Sequence, residues 1–234
     1  MAVTDEAIAE IRRLIQSGAL RPGDRLPGEQ QLSARLGMSR SSLREATRAL
    51  AMARVVEVRR GDGTYVTDLS PRLLLAGFAF AIDLLREESL LEVVETRRLL
   101  EPAATALAAR RISPRRLADL RDALDDMRAA ADDPAKLAHC HAAFHDIVIA
   151  AAGNEAVAAI LGGLTGRTTR ARGWRPPGGD GALRAIALHE SIYRALKARD
   201  QDLARSTALV HVHDFEAWLR TRLAHHGRAG AGQP

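Results

Sequence analysis

The chain has 234 residues, a formal net charge of +5 and a sequence pI near 10.2. This length accommodates two modest domains or one large one, and the charge permits an anionic partner without requiring one. Hydrophobic residues make up 47% of the chain and aromatic residues only 3%, which favours a helical protein with an aliphatic core. The single cysteine, Cys140, excludes an intrachain disulfide framework and is typical of a reducing compartment.

The sequence contains no stretch typical of a signal peptide or of a membrane span. Its first residues, Met-Ala-Val-Thr-Asp-Glu, are acidic and lack the basic and apolar regions of a signal peptide. The longest apolar stretch, residues 73–85, is too short to cross a bilayer and includes Asp83. We therefore expect a cytoplasmic protein without a membrane partner.

Three helices are predicted in the first part of the chain. Thr4 is an N-cap for the first helix, and a short second helix over residues 29–36 ends at Gly37. The third helix begins only two residues later, after Ser39, a good N-cap residue. This close succession of two helices is typical of a helix-turn-helix motif.

The third helix carries a row of arginines opposite its apolar face. The predicted buried face repeats at helical spacing and consists of Leu43, Ala46, Leu50 and Ala53. Arg40, Arg44 and Arg48 lie four residues apart on the other side, with Ser41 beside them. The planar guanidinium group matches guanine or a phosphate, so the pattern favours a helix that enters the major groove of DNA. A merely solvated face is the alternative.

A basic β-hairpin follows the third helix. Residues 55–59 alternate as a strand does, Asp62-Gly63 supplies a turn, and residues 64–67 form the return strand. Arg59 and Arg60 then lie at a hairpin tip that can reach a groove or the DNA backbone, although they would also suit an ordinary surface. Three helices and a hairpin predict a winged helix-turn-helix domain over residues 1–69.

The remainder of the chain is predicted to be entirely helical. Ser70-Pro71 interrupts the pattern and marks the domain boundary. Seven helices are predicted beyond it, at residues 72–86, 88–111, 114–131, 134–152, 155–172, 182–199 and 201–226. We expect them to pack into a seven-helix bundle over residues 70–227 that also supplies the dimer interface. Residues 228–234 are small and polar and are expected to be a disordered tail.

Histidines in this second part suggest a metal site. His141 and His145 are one helical turn apart, so both imidazoles can bind one ion. His189 and His211 lie on separate predicted helices, on faces that also carry apolar residues. For each of these two, a hydrogen-bonded histidine in the core is the alternative.

Arg97 is the main candidate for binding an effector. It lies on the apolar side of its predicted helix, where a guanidinium group could hold the carboxylate of a small molecule. Glu101 follows four residues later, so an ion pair within the helix is an equally good interpretation. Arg170 is a weaker candidate for the same task.

The motifs of both parts resemble one known family. The first part closely resembles the GntR family of bacterial transcription regulators in the segments Pro22–Pro27, Leu36–Arg40, Leu43–Ala46 and Arg60–Thr64. The second part is similar to the FCD effector domain of the FadR subfamily. The matching residues are Glu95-Thr-Arg97 with Glu101, Phe144-His145, Ala152-Gly-Asn154, His189, Asp200, Ala204 and His211.

The resemblance implies a set of DNA-binding residues. These are Arg25, Gln30, Ser39, Arg40, Ser41, Arg44, Arg48, Arg59, Arg60 and Gly61. Gln30 stands where the family usually has arginine, and Gly28 stands where it usually has serine, a better helix cap. The DNA contact expected at position 30 is therefore weakened in this chain.

The resemblance also implies a metal-containing effector pocket. His145, His189 and His211 match three metal ligands of the family, and His141 replaces its usual aspartate. Four imidazoles without an anionic ligand favour zinc or nickel over a harder ion such as manganese. An anionic effector, a small organic acid, would then be attracted to the ion, with Arg97 and Arg170 as further contacts.

Three functions are compatible with these features. The leading one is a sequence-specific regulator, a repressor, which binds a palindromic operator in double-stranded DNA as a homodimer and responds to a small carboxylate. The second is a metalloregulator that responds to the ion itself. The third is a metal-dependent hydrolase, disfavoured because the sequence has no His-Glu-x-x-His motif and Glu190 is the only tempting general base. We therefore expect no enzymatic activity.

Overall fold

The structure, a computed structural model, describes the backbone of residues 2–172 and 180–230, and the side chains of 4–169 and 181–225. The chain forms two compact units, Met1–Gly77 and Phe78–Pro234. The division thus falls a few residues after the boundary predicted at Ser70, because a short helix that follows Ser70 belongs to the first unit.

The first unit is a winged helix-turn-helix domain, as the sequence predicts. Its elements are α1 (Ala2–Gln16), α2 (Glu29–Leu36), α3 (Arg40–Met52), β1 (Val56–Arg59), β2 (Gly63–Val66) and α4 (Pro71–Leu74). The two strands are antiparallel, with Val56 opposite Val66 and Arg59 opposite Gly63. Helix α1 already begins at Ala2, so Thr4 lies within its first turn instead of capping it.

Local hydrogen bonds explain where α3 begins and ends. We call α3 the recognition helix, because its row of arginines is predicted to enter the major groove. The hydroxyl of Ser39 accepts a hydrogen bond from the backbone N–H of Ser42 at 3.1 Å, which caps the helix. Leu43 and Leu50 are buried as predicted, but Ala53 is exposed, which corrects the predicted apolar face. The helix ends at Met52 and the backbone of Arg54 is left-handed (φ 60°), so Ala53 lies beyond the last buried turn.

The second unit is all-α in its described part. Its helices are α5 (Ala76–Asp83), α6 (Leu90–Arg111), α7 (Pro114–Ala129), α8 (Pro134–Ala151), α9 (Glu155–Arg172), α10 (Asp180–Ala198) and α11 (Gln201–Gly230). A 3-10 turn at Glu87–Ser89 precedes α6. None of the described helices is both long and apolar enough to cross a membrane.

Two of the seven predicted helices differ clearly from the observed ones, while the bounds of the other five agree within two residues. The helix expected over residues 72–86 is divided into α4 and α5, because Leu75 leaves the helical conformation (φ −91°, ψ 3°). Helix α11 continues to Gly230, so the first residues of the tail predicted at 228–234 are helical. Residues 231–234 lie outside the described residues.

Helix α6 occupies the centre of the second unit. It packs against α8, α9 and α10, and most extensively against α11. Leu90 and Val94 of α6 share an apolar cluster with Phe215 and Leu219 of α11. Arg199, just before α11, donates to the carbonyl oxygen of Ile112, just after α6, so these two helices are antiparallel. Polar side chains on the buried side of α6 therefore face the interior of the bundle.

Candidate metal centre and nucleic-acid interface

The structure brings the four predicted metal-binding histidines together. Helix α8 supplies His141 and His145, α10 supplies His189, and α11 supplies His211. All four side chains are buried, and one potential ligand atom from each lies within 4.8 Å of the others. We call this group the four-histidine centre.

Two of these imidazoles lie at a spacing that fits a shared ion. The Nε2 atoms of His145 and His189 are 3.2 Å apart. Two nitrogens bound tetrahedrally to one zinc ion at its usual bond length would be about 3.3 Å apart. The Nδ1 atom of His189 lies 2.6 Å from the carbonyl oxygen of Ala185, which can only accept a proton. In its neutral form His189 therefore presents an unprotonated Nε2 to the centre, as a metal requires.

A buried carboxylate adjoins the centre. The Oε1 atom of Glu101 lies 3.2 Å from Nδ1 of His145. Arg97 donates to Oε2 of the same carboxylate from Nε at 2.9 Å and from Nη2 at 2.6 Å. Burial by itself raises the pKa of Glu101, but the charge of Arg97 and the contacts from Arg97 and His145 outweigh it and lower that pKa to about 2. Glu101 is therefore ionised.

Arg97 is buried and paired. Besides its bonds to Glu101, its Nη1 donates to the hydroxyl of Thr168 at 2.6 Å, and the side chain is 2% exposed. This geometry contains the ion pair with Glu101 that was the alternative interpretation of Arg97, and its role as an effector clamp stays a prediction. The side chain of Arg170, the other predicted effector contact, lies outside the described residues. The i,i+4 spacing of Arg97 and Glu101 indicated their pairing, but nothing local indicated that Glu101 would reach His145.

Glu190, the candidate general base of the hydrolase hypothesis, is bound by arginines. Arg194 donates to its Oε1 at 3.1 Å, and Arg128 binds its Oε2. Its carboxylate thus forms part of a network of ion pairs between α7 and α10.

On the recognition helix, the predicted DNA-binding side chains are exposed. Arg44 contacts Glu29 at the start of α2, with Nη2 3.1 Å from Oε2 and Nε 3.3 Å from Oε1. The hydrogen bond from Arg44 lowers the pKa of Glu29. Arg48 binds Glu45 at 2.7 Å, whereas Arg40 makes no ion pair within the described part of the chain. The residue that sequence reasoning missed is Glu29, because it precedes its partner by fifteen positions.

The tip of the wing is also basic. Arg59 donates to Glu57 at 2.7 Å and stacks over the ring of Tyr65, 4.2 Å from its centroid. Arg60 and Gly61 are exposed in the turn, where Gly61 adopts a left-handed backbone (φ 75°). Arg59, Arg60 and Gly61 are thus exposed at the end of the hairpin, and their contact with DNA stays a prediction.

Arg25 joins the wing to the helices of the first unit. Its backbone pairs with Tyr65, and its guanidinium group lies so close to Gly63 that an added Cβ would be 2.6 Å from Nε. A cleft of about 750 Å³ separates α2 and α3 from β2, and its lining includes Arg25, Gln30, Leu43, Thr47 and Gly63. Two predicted DNA-binding residues, Arg25 and Gln30, thus line the same cleft as Leu43 and Thr47 of α3.

Comparison with known proteins agrees with this architecture. Residues 3–66 match the family model described as "Bacterial regulatory proteins, gntR family", and residues 92–214 match the model described as "FCD domain". The chain belongs to the GntR family of bacterial regulatory proteins. The two matches fall in the first and second structural units, respectively.

Several relatives resemble this GntR-family chain over most of its length. It is 30% identical over 209 residues to the HTH-type transcriptional regulator LutR of Bacillus subtilis, covering 87% of this chain and 94% of LutR. It is 26% identical over 232 residues to the galactonate operon transcriptional repressor of Escherichia coli, covering 89% and 93%. A solved structure, Streptococcus agalactiae GntR, aligns with a TM-score of 0.63 at 26% identity, covering 92% of this chain and 99% of that one.

The protein is therefore a DNA-binding transcriptional regulator with an FCD domain. The family and its relatives are regulators and not enzymes, which excludes the hydrolase hypothesis. The helix-turn-helix and the FCD domain, both expected from sequence motifs, are confirmed.

Proposed function

We propose that this regulator, a member of the FadR subfamily, is a cytoplasmic repressor controlled by a small carboxylic acid. The acid binds to a divalent metal ion held by the four-histidine centre, and its binding lowers the affinity of the protein for its operator. The observation that carries the proposal is the convergence of four buried histidines from three helices in the domain matched by the FCD model.

Zinc or nickel suits this set of ligands. Imidazole nitrogen is a borderline donor that both ions accept, and all four ligands are neutral. His141, in the place of a carboxylate, leaves the full double charge of the ion to be balanced by other groups. An ion with an open coordination position then attracts a carboxylate from solution. The metal would thus supply the binding energy for an anionic effector.

Operator recognition is assigned to the exposed surface of the first unit. Arg40 and Arg44 would read base edges in the major groove, while Arg48, Arg59 and Arg60 would contact phosphates or groove edges. Ser39 and Ser41, at the start of α3, would donate to phosphates. A homodimer would place two such helices on the halves of a palindrome in double-stranded DNA.

Effector binding would act on DNA affinity by shifting a conformational equilibrium of the FCD domain. A coupling free energy of about 1–3 kcal/mol changes affinity by roughly 5- to 150-fold, enough to clear an operator. The change would reach the DNA-binding unit through the residues that join the two units.

The test combines metal analysis with operator binding. Protein loaded with zinc or nickel is titrated into labelled DNA from its own promoter, with competitor DNA and a panel of carboxylic acids. The double variant His145→Ala, His189→Ala should lose the ion and the response to acid but keep operator affinity within about threefold, since both residues lie outside the DNA-binding unit. His213→Ala, which alters an exposed histidine on α11, is the matched control and should behave as wild type.

A double variant that still releases DNA on addition of the acid would refute this mechanism. A wild-type protein without sequence preference over competitor DNA would refute the operator function itself.

A metalloregulator is the second candidate. Four protein ligands suffice to fill the tetrahedral shell of zinc, which would leave no position for a carboxylate. Operator affinity that changes with zinc or nickel alone, and does not respond to any acid, would establish this function in place of the first.

A further inference from the structure

The contact between Glu101 and the four-histidine centre has a function of its own. We propose that Glu101 is a positioning residue that fixes the tautomer of His145, and that Arg97 fixes Glu101. The carboxylate keeps the ring proton on Nδ1, so Nε2 is free to bind the metal. This inference rests on the proposed metal site and names the residues that prepare it.

The geometry around His145 leaves its Nδ1 one possible role. Oε1 of Glu101, 3.2 Å away, has no other hydrogen-bond donor among the described side chains. An ionised carboxylate can only accept, so the proton must be on Nδ1 for this contact to be favourable.

The position of this proton determines what the other ring nitrogen of His145, Nε2, can bind. Nε2 of His145 lies 3.2 Å from Nε2 of His189, whose own Nδ1 donates to Ala185. With both protons on Nδ1, two nitrogen lone pairs face each other across the centre. A divalent ion can bind both lone pairs at once.

Arg97 determines which oxygen of Glu101 faces the histidine. Its Nε and Nη2 both donate to Oε2, so Oε1 is left for His145. Its Nη1 donates to Thr168, whose hydroxyl in turn lies 3.1 Å from the backbone oxygen of Leu164. One series of polar contacts thus joins α6 and α9 to His145 of α8.

The variant that tests the inference is Glu101→Gln, which preserves shape and removes the charge. Because Arg97 offers two donors, the glutamine oxygen should turn toward Arg97 and its amide N–H toward His145. Nδ1 would then have to accept, and the proton would move to Nε2, where it blocks the metal. We expect zinc and nickel affinity to fall about 10- to 100-fold in a chelator competition assay.

The tautomer itself can be measured without any variant. In metal-free wild-type protein labelled with ¹⁵N-histidine, Nδ1 of His145 should carry the proton, with the resonance assigned by comparison with His145→Ala. In Glu101→Gln the protonated nitrogen should be Nε2. Glu92→Gln, an exposed change on the same helix, is the control and should alter neither the spectrum nor the metal affinity.

Two results would overturn the inference: an unprotonated Nδ1 at His145 in the metal-free wild type, or unchanged metal affinity in a folded Glu101→Gln protein. Thermal unfolding of the metal-free variants establishes that they are folded. If Glu101→Gln does not fold, the wild-type spectrum still shows whether Nδ1 of His145 carries the proton, which tests the inference. A wild type that binds neither zinc nor nickel would refute the proposed metal site, whereas its NMR spectrum would still report on Glu101 independently.

Discussion

The ion pairs of the recognition surface lie in solvent, whereas the pair beside the four-histidine centre is withdrawn from it. The side chains of Arg44 and Glu29 are 56% and 44% exposed, whereas those of Arg97 and Glu101 are 2% exposed each. Water weakens the first pair and can replace either partner when DNA arrives. No water replaces a lost partner in the second pair. The exposed pair in the first unit can therefore be replaced by contacts with water or DNA. The buried pair in the second unit cannot be broken without leaving an unpaired buried charge.

The largest effect should come from breaking the buried pair. Arg97→Met removes the cation and leaves the Glu101 carboxylate buried with only His145 beside it. We expect the free energy of unfolding of the metal-free protein to fall by about 3–5 kcal/mol, measured by urea denaturation.

The neighbouring residue provides the control for this loss. Arg98 is 40% exposed and its two acidic partners, Glu95 and Glu216, are each 3.7 Å away. Arg98→Met should lower the free energy of unfolding by no more than about 1 kcal/mol. Equal losses in Arg97→Met and Arg98→Met would contradict the contrast between buried and exposed pairs.

An intermediate effect is expected on DNA affinity from the recognition helix. Arg40 is exposed and makes no ion pair in the described part of the chain, so its guanidinium is available for a base edge. Arg40→Ala should cost about 1–3 kcal/mol of operator binding and relax specificity at one position in each half-site. Fluorescence anisotropy on a set of single-base operator variants measures both quantities.

A substitution in the wing distinguishes base recognition from attraction between charges. Arg60→Ala should weaken binding to all sequences alike and reduce the slope of log affinity against log salt by about 0.9 for each phosphate that the protein no longer neutralises. If Arg40→Ala gave this same uniform weakening, the assignment of Arg40 to base readout would be wrong.

The smallest effect should come from the exposed pair itself. Glu29→Gln removes the partner of Arg44 and should change the free energy of unfolding by only about 0.2–1 kcal/mol. Because the hydrogen bond from Arg44 lowers the pKa of Glu29, this contribution is present above the ordinary carboxyl pKa of 4.5. It is lost as the pH falls through the lowered pKa. Urea denaturation of both proteins between pH 3 and 7 would show it, and a difference that grew toward low pH would contradict the pairing.

Several helix starts could be predicted from the sequence because neighbouring residues decide them. Ser39 caps α3 through an N–H three residues away, and Ser113 caps α7 in the same way. Asp133 accepts from the backbone N–H groups of Ala135 and Lys136 at the start of α8. Each bond spans no more than three residues, so tertiary contacts are not needed to form it.

The sequence by itself thus determined the helical class, the winged helix-turn-helix, and the candidate histidines, since periodicity, caps and motifs are local properties. Only the tertiary structure decided that Glu101 approaches His145 and that Glu29 holds Arg44. It also decided that Arg97 donates to Glu101 and Thr168 in the interior of the bundle. These contacts depend on how helices distant in sequence pack together, and a buried charge takes whichever partner that packing brings within reach.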